Sequence, residues 1–198
     1  MKKLLFIFMG LLLLAMTPLA ASEPIRFQKD EDGEYYLDSA FNFNCKKETA
    51  WKRLSNYIES IYNTETGSVS VNEETRTITV KGGKENLALE DSNNFDFKNI
   101  VYFTLTLNVL ENRVNCRYSN LVSEVYAKGS LIKTTENKET FRVLLRDYDK
   151  AVIIMNDSSS SKQDIAWAKK EMKKTEPFLS LAQEKLLARI ESLRLSTE

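Results

Sequence analysis

Two cysteines, Cys45 and Cys116, are the side chains in this sequence best suited to covalent chemistry. Each could serve as a nucleophile, a metal ligand, half of a crosslink or a small core residue. The chain contains no histidine, which excludes Ser-His-Asp and Cys-His nucleophile systems and nearly all zinc sites. A nucleophilic cysteine would lack its usual base, so crosslinking and core packing are the two interpretations to separate.

Carboxylates are the other candidates for catalysis. Acid–base catalysis needs two carboxyl groups facing each other across a cleft, and neighbours in a loop rarely achieve this. We interpret the carboxylate groups of this chain as solvated turns, without the spacing of a calcium-binding EF-hand. We therefore expect no catalytic residue, no metal and no cofactor. The two groups are Asp30, Glu31, Asp32 and Glu34, and Asp147, Asp149 and Asp157.

The first 22 residues have the layout of a secretory signal peptide. Two lysines precede an apolar run from Leu4 to Met16, and Ala20, Ala21 and Ser22 supply small residues for cleavage. The run is shorter than the roughly 20 residues of a membrane span, and no later run is long enough. We predict an exported protein, periplasmic or secreted, with no transmembrane segment after signal removal.

The charge balance bears on the partner. The chain has 28 basic and 28 acidic residues, and removal of Lys2 and Lys3 with the signal leaves 26 basic residues. Nucleic-acid binders carry a clear basic excess, so we predict no nucleic-acid partner. One basic group at helical spacing is interpreted as a solvated face, and not as a site for an acidic partner. It consists of Lys169, Lys170, Lys173 and Lys174.

The elements that must position these side chains follow from the spacing of apolar residues. Alternation over residues 35–45 predicts a strand, and apolar residues three and four apart over 48–62 predict a helix. A hairpin over 69–80 is predicted to end at Gly82-Gly83, and 84–98 is interpreted as a loop or edge segment.

The next stretch, VYFTLTLNVLENRVNCRY at 101–118, alternates through a second hairpin and places Cys116 among core residues. Residues 122–160 are a poorly defined insertion, in which 130–134 and 140–145 are interpreted as strands.

A long C-terminal helix is predicted over 161–195, beginning with a capping signal at Ser161. Pro177 removes a helical hydrogen bond, so the pattern allows either one kinked helix or two. Together these elements make 35–198 a single α+β domain behind a flexible lead-in at 23–34.

Three stretches carry a resemblance to a known family: FNFNCKKETAWKRLSNYI, VSVNEETRTITVKGG and VYFTLTLNVLENRVNCRYSNL. They resemble a secreted bacterial domain family of unknown function, whose fold is similar to one repeat of the TATA-box-binding protein (TBP). The resemblance covers residues 35–121 and, more loosely, the last helix, and it implies a β-α-β-β-β-β-α order, with a curved antiparallel sheet and the long, Pro-kinked C-terminal helix across its concave face. It brings no catalytic motif and, because fold does not carry function, does not imply DNA binding.

The resemblance also bears on the cysteines. In the resembling fold the first and last strands pair antiparallel, with both cysteines on the apolar side, so a disulfide between Cys45 and Cys116 is one alternative. Export favours it, since extracytoplasmic compartments are oxidising. Two buried free thiols are the equal alternative, because cysteine packs as a small apolar residue.

The leading hypothesis for function is an exported, non-enzymatic binding or protein-interaction module with an unknown protein or small-molecule partner. A second hypothesis is a carrier of a small apolar ligand between the sheet and the C-terminal helix, where aromatic residues such as Trp51 and Trp167 could line a groove. A third is a carboxylate-dependent glycan hydrolase, which requires two acidic side chains facing each other across a pocket.

Overall fold

A computed structural model describes most of the chain as strands and helices. The predicted signal peptide, residues 1–22, lies outside the described residues. The residues described are 24–62, 66–88, 97–127, 130–131 and 140–198. The strands are β1 (Gln28–Lys29), β2 (Tyr35–Asn42), β3 (Ser68–Asn72), β4 (Thr77–Ala88), β5 (Phe97–Val109), β6 (Arg113–Ala127) and β7 (Ser130–Leu131). The helices are α1 (Lys47–Ile61), α2 (Thr140–Asn156) and α3 (Lys162–Ser196).

Within the described part of the chain, seven strands form one antiparallel sheet. The order is β1-β2-β6-β5-β4-β3, and the short β7 pairs with β6. The register shifts once between β4 and β5 and once between β5 and β6, and such bulges bend the strands they interrupt. The predicted α+β class is confirmed, with a curved antiparallel sheet and a long C-terminal helix. From β2 to β6 the elements follow the predicted β-α-β-β-β-β order, and β1, β7 and α2 are additional.

The sequence predicts that the glycine pair Gly82-Gly83 ends the hairpin, but the pair lies inside β4. Gly82 has a φ of +71°, a left-handed conformation that glycine adopts at little cost. A Cβ on Gly83 would lie 2.3 Å from the ring of Phe103. The pair therefore forms a bulge, and β4 continues to Ala88. Residues 84–88 and 97–98, interpreted as part of a loop or edge segment, are therefore strand, and 89–96 lie outside the described residues.

Helix α2 corrects the interpretation of residues 140–145 as a strand. Phe141 and Leu145 are buried, and Leu144 and Tyr148 pack against the same core. These positions recur three and four apart, which is the period of a helix that packs against α3 and β6. A short apolar run fits both periods, and the contacts with α3 decide between them.

The C-terminal segment is one helix, α3, which continues through Pro177. The predicted start is confirmed, because the backbone N–H of Asp164 donates to Ser161 Oγ at 3.1 Å. Two residues before the proline, Thr175 is buried and its hydroxyl donates to the carbonyl of Glu171 at 2.9 Å. The alternative of two separate helices is therefore excluded.

Residues 24–34 are attached to the domain and do not form the predicted flexible lead-in. The side-chain oxygen of Gln183, on α3, accepts from the backbone N–H of Arg26 at 2.6 Å. Its amide nitrogen donates to the carbonyl of Pro24 at 3.1 Å. Phe27 is buried, and β1 pairs with β2. The two hydrogen bonds of Gln183 join residues that are 159 and 157 positions apart in the chain. Local sequence patterns do not indicate such long-range contacts.

The helices pack on one face of the sheet, which we call the covered face. Its strand residues and the helix residues opposite form one hydrophobic core. No helix in the described ranges has the length and apolar character of a membrane span. The most completely buried core residues include Leu37, Leu54, Ile58, Val80, Leu105, Tyr118, Leu179 and Leu186.

Candidate functional site

The opposite face of the sheet, which we call the open face, carries mostly polar side chains near the turn between β5 and β6. They are half-buried or exposed, and they alternate along each strand with the buried residues of the covered face. The strand register aligns them in rows across the sheet. Two adjacent rows are Ser70, Thr79, Thr106, Arg117 and Asp38, and Asn72, Thr77, Asn108, Asn115 and Ala40.

A groove of about 650 Å³ lies on the open face, across β2, β6 and β5. Ala40 has a short side chain opposite Asn115, which leaves space between longer neighbours. The groove therefore offers hydroxyl, amide and guanidinium groups to a ligand. Its side chains include Asp38, Ala40, Thr106, Asn108, Arg113, Asn115 and Arg117.

Asp38 and Arg117 form an ion pair across the groove floor. Arg117 Nε donates to one carboxylate oxygen of Asp38 and Nη2 to the other, each at 2.7 Å. This two-bond geometry is the strong form of the arginine–carboxylate contact. It raises the pKa of Arg117. The guanidinium also lies 4.2 Å from the centre of the Tyr36 ring, so both charges are held in fixed positions.

Arg113 lies at the end of the groove and makes no ion pair with a described carboxylate. Its Nε donates to Asn115 Oδ1 at 2.9 Å. Asn42 is its partner across β2, and Asn108 is the partner of Asn115 across β5. The guanidinium of Arg113 therefore shares this end of the open face with the side-chain amides of Asn42, Asn108 and Asn115.

Cys45 and Cys116 are free thiols in the structure, and not the disulfide that the sequence left as one alternative. Cys116 is paired with Ser39 inside the ladder between β2 and β6. Cys45 lies six positions further along the chain than Ser39, beyond the end of β2 at Asn42, and its thiol lies 3.4 Å from the carbonyl oxygen of Thr197. A disulfide requires Cα atoms within about 7 Å. The register of β2 against β6, which the sequence does not specify, therefore separates Cys45 from Cys116.

The environment of Cys116 does not suit a nucleophile. The residue borders the groove but is only 2% exposed. Burial raises the pKa of its thiol to about 12, and the charge of Asp38 contributes in the same direction. The thiolate is the reactive form of cysteine, so Cys116 is an unreactive thiol at neutral pH.

The carboxylates singled out in the sequence have separate structural contacts. Asp30 accepts from the backbone N–H of Glu34 at 2.7 Å, and Asp157 accepts from that of Ser159 at 2.8 Å. Asp149 accepts from the hydroxyl of Tyr35 at 2.7 Å. Among the described residues, no group of acidic, cysteine or histidine side chains could hold a metal ion.

The two cavities described here do not provide the pair of facing carboxylates that a glycan hydrolase needs. The groove has one lining carboxylate, Asp38, which is already bound to Arg117. A smaller cleft of about 180 Å³ beside α2 also has one, Glu34, which pairs with Arg142 at 3.0 Å. The structure therefore gives the hydrolase hypothesis no catalytic pair in either cavity.

The carrier hypothesis requires space between the sheet and α3. Tyr118, from β6, is fully buried there, and its hydroxyl donates to the carbonyl of Leu186 at 3.1 Å. Trp51 is part of the core, whereas Trp167 is 37% exposed on α3 and lies beneath Lys150. Neither tryptophan lines either of the two cavities.

The open face is not evident as a site from the sequence alone. In the sequence its residues are only the polar half of an alternating pattern. The signal that could have identified them is a run of hydroxyl and amide residues at successive outward positions, at the paired ends of two adjacent strands. These residues are Thr77 and Thr79 of β4 and Thr104, Thr106 and Asn108 of β5.

Fold and site together define an α+β domain whose sheet has a helix-covered face and an open polar face. No protein-family model and no curated protein matches the chain. Among solved structures, it is similar to a TBP-like protein from Parabacteroides distasonis, with a TM-score of 0.41 and 14% identity over 71% of this chain and 96% of that one. It is also similar to a DUF4468 family protein from Bacteroides ovatus, with a TM-score of 0.39 and 14% identity over 75% and 91%.

Both neighbours are bacterial proteins of the kind that the sequence resemblance named, one TBP-like and one from a domain family of unknown function. Similarity of this degree carries no inference about function. The open face is therefore the feature that bears on function.

Proposed function

We propose that this protein is an exported binding module that holds a glycan chain on the open face of its sheet. The observation that carries the proposal is the chemistry of the groove, which is lined by hydroxyl, amide and guanidinium side chains. Sugars present many hydroxyl groups, each a donor and an acceptor, and these side chains complement both roles. Export is part of the proposal and rests on the predicted signal peptide.

The composition of the open face favours a glycan over a stable protein partner. The centres of protein–protein interfaces are enriched in aromatic and other large apolar side chains. The two rows that cross the groove contain none, since their members are hydroxyl, amide and charged residues with one alanine. A glycan needs fewer apolar contacts, and exposed sheet faces bind oligosaccharides in other folds.

The groove supplies binding groups without a catalytic pair, which supports a non-enzymatic role. Asp38 is fixed by two hydrogen bonds to Arg117, and the thiol of Cys116 is buried. A bound glycan should therefore be recovered with its chain length unchanged.

Binding to a panel of neutral and acidic polysaccharides tests the proposal, with affinities measured by calorimetry on the mature chain. The variant Asn108→Ala/Asn115→Ala removes two amides from the groove. If each hydrogen bond contributes about 0.5–1.5 kcal/mol, the affinity should fall about tenfold or more. Lys173→Ala, on the exposed surface of α3, is the control and should bind like the wild type.

Absence of binding to every polysaccharide, or equal binding by the double variant, would contradict the proposal. Native mass spectrometry of the same preparations checks the carrier hypothesis, because a co-purifying mass of lipid size would support a carrier instead.

A further inference from the structure

We infer that the groove selects glycans that carry carboxylate groups, and that Arg113 binds the carboxylate. The inference rests on the proposed function and adds the charge of the ligand. It concerns one end of the groove, where β6 begins at Arg113.

The charges that line the groove do not cancel. Asp38 and Arg117 neutralise each other through hydrogen bonds of 2.7 Å. The third charged group, Arg113, has no described carboxylate partner and gives the groove a positive charge that nothing in it offsets. Other arginines of the described chain do have such partners: Arg76 with Glu48, Arg142 with Glu34, Arg189 with Glu85, and Arg194 with Glu191.

The guanidinium of Arg113 is also oriented. Its Nε donates to Asn115 Oδ1 at 2.9 Å, which fixes the plane of the group beside the groove. The two terminal nitrogens have no described partner. They form the planar fork that binds both oxygens of a carboxylate, a contact of well-defined geometry.

The amides around Arg113 suit the sugar ring that would carry the carboxylate. Asn42 is paired with Arg113, and Asn108 with Asn115. A carboxylate on the fork would place the hydroxyls of its own ring near these amides, which can donate and accept. The chemical class is therefore a glycan containing sugar acids, and not a neutral glycan.

A nucleic acid is a poorer fit, although it is also acidic. Duplex DNA carries one charge per about 1.7 Å, and its binders neutralise several phosphates at once. The groove offers one unmatched guanidinium. A polymer with one carboxylate per sugar matches this single contact better.

Polygalacturonate and its methyl ester test the inference, because they share a backbone and differ in the carboxylate. Alginate and its ester form a second pair. We expect the wild type to bind each acid at least about tenfold more tightly than its ester, because only the acid can make the charge-assisted contact with Arg113. Arg113→Gln should reduce this ratio to near one while retaining binding of the ester. Arg146→Gln, an exposed arginine on α2, should keep the wild-type ratio.

The outcomes separate the two proposals. Equal wild-type binding of acids and esters overturns the inference and leaves the proposed function intact. Binding of neither form, with no binding elsewhere in the panel, overturns the proposed function. Tighter binding to duplex DNA than to either acid would show a general polyanion surface and would also overturn the inference. Thermal melts of both variants confirm that they are folded.

Discussion

The two faces of the sheet use the same strands for different purposes. Along β5, Phe103, Leu105 and Leu107 point to the helices and are buried, whereas Thr104 and Thr106 alternate with them on the open face. Removal of apolar surface from water stabilises the fold from one side only. The other side is free to carry polar groups for binding. Stability and binding should therefore separate residue by residue along one strand.

The largest effect is expected from Phe103, which packs on Gly83 and meets the ring of Tyr118 edge to face with centroids 4.9 Å apart. Phe103→Ala should lower the free energy of unfolding by about 3–5 kcal/mol, because it leaves a cavity. The next residue, Thr104, is on the open face, and Thr104→Ala should cost about 0.5 kcal/mol or less. Denaturant titration of both variants measures the difference, and similar losses would contradict the division of the faces.

The next largest effect compares one ion pair on each face. Arg189 and Glu85 pair at 2.6 Å on the covered face, with side chains 27% and 18% exposed. Arg189→Met would leave Glu85 partly buried without a partner, and should cost about 2–3 kcal/mol. Adding Glu85→Gln should recover part of that loss.

Arg117 and Asp38 form the matching pair on the open face, 51% and 40% exposed. Solvent screens such pairs, so Arg117→Met should cost about 1 kcal/mol or less. Equal losses in Arg189→Met and Arg117→Met, measured by denaturant titration, would show that burial does not distinguish the two pairs.

An effect of alkaline pH is expected from the covered face. Burial raises the pKa of Tyr62 to about 12 from its ordinary value of 10.0. The unfolded chain therefore loses this proton at lower pH than the folded one. The raised pKa of Tyr62 therefore adds to the free energy of unfolding in full below about pH 10, and this contribution is lost as the pH rises toward 12.

Tyr62→Phe removes that dependence at little cost near neutral pH, since the Tyr62 hydroxyl is buried without a described hydrogen-bond partner. The free energy of unfolding of the variant, measured relative to that of the wild type, should be roughly 1 kcal/mol higher at about pH 10.5 than at pH 7. Denaturant titrations at the two pH values measure the change. A difference independent of pH would contradict the raised pKa.

The smallest effect on stability is expected at the groove. Thr106→Ala changes an open-face hydroxyl opposite Arg117 and should alter the free energy of unfolding by about 0.5 kcal/mol or less. It should nevertheless weaken polysaccharide binding by a few-fold, as loss of one hydrogen bond does. A large loss of stability with unchanged binding would reverse the assignment of the faces.

Regular patterns made much of the fold predictable. The alternation through 101–118 and the helical spacing over 48–62 each persist without interruption, so β5, β6 and α1 follow from them. Gly82-Gly83 was misassigned, because glycines both end hairpins and form bulges. The ring of Phe103, twenty residues later, decides between the two.

The site was less predictable, because it depends on register. The sequence shows which residues alternate, but it does not show that Arg117 lies between Asp38 and Thr106, or that Cys116 lies opposite Ser39. The pairing of β2 with β6 joins Asp38 to Arg117, 79 positions later in the chain, and local sequence patterns do not specify such a long-range pairing. The polar character of the open face was therefore predictable, while the groove was not.

Chemical-shift mapping of the isotope-labelled mature chain, titrated with a galacturonate oligomer, tests the central claim most directly. Binding on the open face predicts that the largest shifts occur at Thr106, Asn108, Arg113 and Asn115, with small shifts for the buried residues between them. Absence of shifts, or shifts concentrated on α2 and the exposed part of α3, would contradict the assignment of the open face as the binding surface.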